Sequence, residues 1–474
     1  MSKKSAPNGS ELPRWNLAEL YSGIQAPELR TDMENIERMV QDFKKRLENG
    51  IDYLSGADLG RAIAEYEKIE ILRGKIACYV ALIESDDIGN CAKTAALKKW
   101  DTDVWNNISF FSGEICEMKE PDLITKLIAP ELARYAPWIA RQRQMSRIEI
   151  PEGIDDLSSR YQDINMAAWR RLYMEAKTQP TTDYQGKRIS IDQLQALSTD
   201  EKSTPAARAA ARKKLGETLK QENGKMALIY NAVMKDMEID ARLAKHHRPD
   251  QAVHLENGMD QEIVDTMFNT VKTSFTGLSH RFYAWAARKN GAEVIKSALL
   301  KEPSSIDGGN DEKIYSWPEA KAIVMRAFKN FSPRFARVAQ RLFSEQHIDA
   351  GAREGKEGGG FCMPVGPGHL PFILVNFTGT SDDVASTLGH ELGHGIQQAL
   401  TERARGSFLS EISPDLSETA SVFAEMLVFD ELLKSEKDPQ QRRLLLEKRV
   451  ENILLSSLQQ LSYYDFEHRV HAEI

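Results

Sequence analysis

The chain has 474 residues, enough for a large core and, at roughly 150 residues per domain, for two or three domains. A net charge of -8 gives no overall attraction to phosphate backbones or anionic lipid, which argues against nucleic acid as a partner. No stretch approaches the roughly 18 apolar residues needed to span a bilayer, and MSKKSAPNGSELPRWN carries no apolar run behind its lysines, so a cytoplasmic protein with no membrane partner is expected.

Up to about residue 300 the pattern is helical. Apolar residues recur at three and four with long charged residues between them, as in DMENIERMVQDFKKRL and GRAIAEYEKIEILRGKIACYVALI, which predicts a mainly α fold. Cys78, Cys91, Cys116 and Cys362 show no C-x-x-C spacing and are too few for a disulfide framework, so they read as buried or idle thiols. The helical texture breaks at TQPTTDYQGKRISIDQLQAL, with Gly186 in a turn and Arg188 to Ile191 alternating like a short strand. It resumes at STPAARAAARKKLGETLK with Pro205 in a first turn, so the expected domains are 1–200 and 201–474.

A polar loop, EPSSIDGGNDEKIYS, follows. Ser316, with Pro318 and Glu319 behind it, then reads as the capping box of a helix from about Trp317. In HIDAGAREGKEGGGFCMPVGPGHLPFILVNFTG, three consecutive glycines, Gly358 to Gly360, exclude helix, and PFILVNF is β-prone. Gly355-Lys356 is followed by Glu357 where a phosphate loop needs Ser or Thr, which rules that motif out. Glycine is also the usual residue where a backbone must approach a ligand closely. Gly360 and Phe361 at the end of the glycine run, and Asn376 in the extended run, are therefore the candidate substrate-contacting positions.

From Thr380 the sequence TSDDVASTLGHELGHGIQQAL predicts a helix capped by Thr380 or Ser381, with Asp382 and Asp383 where the helix dipole favours acids. His390 and His394 lie one turn apart on one face and can converge on one ion, with Glu391 placed to accept a proton from water at the metal. This is H-E-x-x-H, the signature of zinc-dependent hydrolases. Gly389 and Gly393 imply a close approach to this helix, by a packed neighbour or by substrate. A catalytic zinc usually takes three protein ligands, so a third is expected downstream. SPDLSETASVFAEMLVFDELL, capped by Ser413 with Pro414 at its first position, carries Glu418 and Glu425 among Leu416, Val422, Phe423, Met426 and Leu427. A glutamate on so apolar a helix is either rim-exposed or paired inside the core, and one zinc ion per chain would supply the compensating charge. Glu418 is the expected third ligand and Glu425 a residue supporting the ligand shell.

With these segments in view, the chain resembles the oligoendopeptidase F family of thimet-oligopeptidase-like metallopeptidases over nearly all its length. The matching pieces are RWNLAELY, LSSRYQDINMAAWRRLY, HIDAGAREGKEGGGFC, PFILVNFTGT, TLGHELGHG and LSETASVFAE. The resemblance implies His390, His394 and Glu418 as zinc ligands, Glu391 as general base, and a two-lobed helical body whose channel admits short unfolded peptides. It also implies a strand beside the metal helix that pairs with substrate, for which PFILVNF is the matching segment. Members of the family continue past the point where FEHRVHAEI ends here, through helices carrying a histidine and tyrosines that stabilise the oxyanion. On that basis the chain reads as shortened at its C-terminus, with Leu446, Ile453 and Leu461 exposed on the last helix. Tyr463, Tyr464, His468 and His471 lie too early to be those residues. Three other readings stay open: a di-iron carboxylate protein, which lacks its second Glu-x-x-His; a zinc-binding chain of weak activity; and a metallocarboxypeptidase.

Overall fold

The computed structural model describes residues 12–146, 168–176, 180–199, 203–289, 313–410 and 412–473. Residues 157–167 of LSSRYQDINMAAWRRLY and 302–312 of the expected polar loop lie outside them. By internal contacts the chain divides into Met1–Ser146 with Glu312–Leu446, and Arg147–Asp311 with Glu447–Ile474. Residue 200, where the sequence suggests a boundary, lies within the second of these units.

The first unit begins with α1 (Pro27–Leu47), α2 (Gly56–Asp86) and α3 (Cys91–Ile108). In α1, Leu29, Ile36, Val40, Phe43 and Leu47 are buried at helical spacing, so one stripe faces the core. Ser55 caps α2 by accepting from the Asp58 backbone N–H at 3.1 Å. Phe43, Tyr66, Phe111 and Trp138 form an aromatic cluster beneath it, with Phe43 and Phe111 ring centres 4.9 Å apart.

Later in the same unit come α4 (Trp317–Phe331) and α5 (Pro333–Ser344). Ser316 opens α4 as expected, its backbone N–H donating to the Glu319 carboxylate at 2.8 Å. A three-stranded mixed sheet follows, with β1 (Ile348–Asp349), β2 (Phe361–Met363) and β3 (Phe372–Leu374). The strand order is β1-β3-β2, with β3 parallel to β1 and antiparallel to β2, in the register Phe361 to Leu374 and Met363 to Phe372. This corrects one expectation, because PFILVNF supplies the central strand. Both its edges are already paired, and Phe372, Ile373 and Leu374 are fully buried. Trp15 of RWNLAELY packs against Phe361 and Phe372 at 6.3 and 6.2 Å, and the Asn16 N–H donates to Gln346 O at 2.8 Å.

The glycine-rich segment between β1 and β2 is pinned by a buried ion cluster. Lys356 Nζ lies 2.7 Å from Asp349 Oδ1, both side chains 0% exposed, and it donates to Val375 O at 2.7 Å. Arg353 grips the same carboxylate at 2.8 and 2.9 Å. Burial lowers the Lys356 pKa, and Asp349 opposes the shift. The Gly-Lys pair is thus structural.

After β3 the chain enters a seven-residue π-helical stretch, Asp383–Gly389, which leads into α6 (His390–Arg405), and α7 (Pro414–Ser435) follows. Thr380 accepts from the Asp383 N–H at 3.1 Å, and Asp383 in turn accepts from the Thr378 and Thr380 N–H groups at 2.8 and 3.2 Å. The cap thus matches the sequence, while the wide turn behind it has no counterpart in the apolar spacing. π-Turns inside helices are frequent at functional sites.

The second unit is also mainly helical. Its longest helix is Pro205–Leu243, capped by Thr204, which accepts from the Ala207 N–H at 3.2 Å. Its hairpin pairs Thr181–Tyr184 with Lys187–Ser190 across Gln185 and Gly186, both at positive φ (52° and 76°), as a tight two-residue turn requires. Arg188 to Ser190 lie on the second strand as expected, while Ile191 opens the next helix. The C-terminal segments are Pro439–Leu454, which the unit boundary after Leu446 divides, a π-helical stretch at Leu455–Gln459, and Gln460–Glu473. Leu446 and Ile453 are exposed there, and Leu461 is half-buried. Tyr464 and His468 are engaged with Arg248 and Asp250, Tyr464 donating to Asp250 Oδ2 at 3.0 Å. No helix among the described residues is long and apolar enough to cross a membrane.

Candidate metal centre and cleft

His390 and His394 stand on the first turns of α6, their ring centres 4.9 Å apart. Glu418 reaches them from α7: its Oε2 lies 3.2 Å from His390 Nε2 and 3.5 Å from His394 Nε2. One ligand atom from each of the three falls within 4.8 Å of the others, the one such grouping among the described residues. Atoms bound at about 2.0–2.2 Å to one tetrahedral ion stand roughly 3.3–3.6 Å apart, so the donor types and spacing suit a single zinc-sized cation.

The helices carrying these groups cross unusually close at Gly393. A Cβ built there would come within 2.8 Å of Ala420 O and of the Ala424 Cβ. The close approach inferred for this glycine is therefore a packed helix. The same crossing sets the orientation of α7. Leu416, Val422, Phe423 and Met426 are exposed, and the inward face is Ser421, Ala424, Glu425, Val428 and Leu432. Only small residues fit against Gly393, so they take the inner face.

Each ligand-type side chain has a neighbour that holds it. Glu425, buried as few glutamates are, places Oε2 3.6 Å from His390 Nδ1 and accepts from Ser386 Oγ at 3.0 Å. Ser417 Oγ lies 2.9 Å from His394 Nδ1, and Ser421 Oγ donates to Glu418 Oε2 at 2.7 Å. Burial disfavours charge on His390, yet Glu425 and the other carboxylates around it raise its pKa. Burial lowers that of His394, with Glu418 opposing. The three serines escaped the sequence reading. Ser386 and Ser417 sit one turn before His390 and one residue before Glu418, positions that only a helix-pair geometry makes informative.

Glu391 is 7% exposed, and burial pushes its pKa from 4.5 up to about 7, with His390 opposing. A Cβ on Gly360 would stand 3.1 Å from Glu391 Oε1 and 3.3 Å from Leu374 O, so the last glycine of the run lies directly against this carboxylate. These groups open into a cleft of about 720 Å³ lined also by Phe361, Cys362 and Pro364 of β2 and its end, and by Glu70, Ile71 and Gly74 of α2. Gly360 and Phe361 line it as the sequence suggests, while Asn376 is outside that lining. Its amide instead donates to Glu357 O and Gly359 O, both at 2.9 Å, and so braces the glycine run. All four cysteines are free, and burial with Glu391 nearby holds the Cys362 thiol well above its usual range.

Residues 325–474 match peptidase family M3. Group B oligopeptidase PepB of Streptococcus agalactiae serotype III (strain NEM316) is 22% identical over 368 residues, 77% of this chain and 60% of that protein. The chromosomal oligoendopeptidase F of Lactococcus lactis subsp. cremoris is 23% identical over 290 residues, 60% of this chain and 46% of that protein. The chain thus spans less than two thirds of the length of these relatives. Among solved structures, a Chlamydophila abortus chain superposes with a TM-score of 0.75 at 18% identity, covering 97% of this chain and 78% of that one. Oligoendopeptidase-F from Enterococcus faecium gives 0.61 at 18%, covering 94% of this chain and 75% of that one. Sequence motifs and helical fold agree with these likenesses: residues 325–474 match the M3 peptidase family, and the relatives that the chain resembles are oligopeptidases.

Proposed function

We propose that this chain is a zinc-dependent oligoendopeptidase that hydrolyses internal bonds of short unfolded peptides. The observation that carries this reading is the convergence of His390, His394 and Glu418 on one point with the buried Glu391 beside it. His390 Nε2, His394 Nε2 and Glu418 Oε2 would hold one zinc ion, which when bound would polarise a substrate carbonyl and acidify water. Glu391 takes up the proton of the attacking water at its carboxylate and returns it to the leaving amine, a task suited to a group poised near neutrality. β2 is the edge strand of its sheet and lines the cleft, so its free main-chain groups can hydrogen-bond an extended peptide beside Glu391. Gly360 leaves room for that backbone.

The test combines metal analysis with mass spectrometry of a digested ten-residue peptide. One zinc per chain and internal cuts are expected. Glu391→Gln should keep the zinc and lose about 10²- to 10⁴-fold in turnover, the range of a positioned general base. Removal of single residues from the peptide C-terminus would instead make the protein a carboxypeptidase. Zinc without cleavage would reduce it to a metal-binding chain.

A further inference from the structure

Among the described residues the cleft is lined by four carboxylates, Glu70, Glu391, Glu402 and Glu418, and by no lysine or arginine. Three of them are accounted for. Glu391 and Glu418 belong to the centre described above, and Glu70 is held by Arg73 at 2.9 and 3.0 Å, with Arg73 also bound to Asp101 at 2.9 Å. Glu402 has no such partner. Its side chain makes no hydrogen bond or ion pair with any described residue, and Arg403 and Arg405 beside it on α6 are exposed. It is half-buried, and burial raises its pKa.

An unpaired carboxylate withdrawn from water carries a desolvation penalty that a cation arriving in the cleft would relieve. The surroundings fit a long cationic side chain. Ile71, Phe408 and Ile412 line the same cleft, and Phe408 is fixed by stacking on Trp138 at 4.8 Å with the rings 8° from parallel. An aliphatic stem can lie on such a surface while its charged end reaches a carboxylate. Glu402 lies eight residues beyond His394 on one helix, about 12 Å along its axis. An extended peptide covers that distance in about four residues.

We propose that Glu402 is a specificity-determining residue, selecting peptides that carry a cationic group about four residues from the cleaved bond. The favoured source is a lysine or arginine side chain, and the same chemistry is offered by a free peptide amino terminus. The inference rests on the peptidase reading above.

The test uses N-acetylated decapeptides in which one lysine is walked along the chain, each with a norleucine twin, and the norleucine peptides again with free amino termini. Two quantities are read: kcat/KM with the zinc-loaded protein, and Kd by fluorescence anisotropy with the metal chelated. Lysine at one position should be preferred at least about tenfold over norleucine, the scale of a hydrogen-bonded charge pair. That ratio should fall to near one in Glu402→Gln, which keeps the shape of the side chain. In Glu402→Lys it should turn toward glutamate-bearing peptides. A preference tied to the free amino terminus and lost in Glu402→Gln supports the inference with the terminus as the cation. Cleavage with no cation preference in either series, or a preference that survives Glu402→Gln, overturns it. Glu402-dependent lysine preference in Kd without any hydrolysis leaves the cation site standing and removes the peptidase reading instead.

Discussion

On its helical side the cleft presents side chains: His390, Glu391 and His394 from α6 and Glu418 from α7, set by a helix crossing so close that only small residues fit between the backbones. On its strand side, around β2, it presents mainly backbone, from Gly360 through Met363, and that backbone is set from behind by the Asp349, Arg353 and Lys356 cluster. The helical side relies on packing and on hydroxyl and carboxylate neighbours. The strand side relies on buried charge. The two should therefore fail differently: damage to the charge cluster behind the strand should unfold the unit, and damage to the ligand neighbours should weaken the metal centre in a protein that stays folded.

The largest expected effect is on the strand side. Asp349→Asn removes the carboxylate facing Lys356, whose side chain is 0% exposed, and should cost about 3–5 kcal/mol of stability because one charge is left buried and uncompensated. Urea unfolding measures this. If charge is the cause, combining Asp349→Asn with Lys356→Met should recover much of the loss. A double variant no more stable than the single one would shift the explanation to hydrogen-bond geometry.

Ser417→Ala sharpens the contrast. Deleting the hydroxyl 2.9 Å from His394 Nδ1 should lower zinc affinity by about 10- to 100-fold, the usual effect of losing an outer partner of a ligand, with little change in melting temperature. Chelator competition reads the affinity directly, and unchanged affinity would make Ser417 an ordinary helix residue.

Smallest of the three, Gly360→Ala places a methyl 3.1 Å from Glu391 Oε1 and 3.3 Å from Leu374 O. Turnover should fall by roughly threefold to tenfold, about 1 kcal/mol, as Glu391 gives way. Stability should stay within about 0.5 kcal/mol, the scale of changes away from a core. A larger loss of stability than of turnover would assign the glycine to chain geometry and weaken the view that this side contributes space for a substrate.

What the sequence by itself determined was local. H-E-x-x-H on a helix places two imidazoles on one face because α-helical spacing does so, and the caps at Ser316 and Thr380 could be read because a cap involves only neighbouring residues. The mainly helical class followed from periodicity in the same way. Contacts made across the chain were decided by tertiary structure. The sheet order turned PFILVNF into a fully paired central strand and left FCM at the edge, since which neighbours a strand acquires depends on distant segments. The apolar residues of α7 did not by themselves say which face is buried, and the Gly393 crossing, which admits only small side chains, decided it. Asn376 was expected at a substrate and is occupied with two loop carbonyls. Ser386 and Ser417 acquire meaning only once a second helix brings a partner within hydrogen-bond reach, and Glu402 only because none of the described residues arrives as its partner. Pairing across the fold is a property of three-dimensional packing, which residue type and spacing along one segment do not encode.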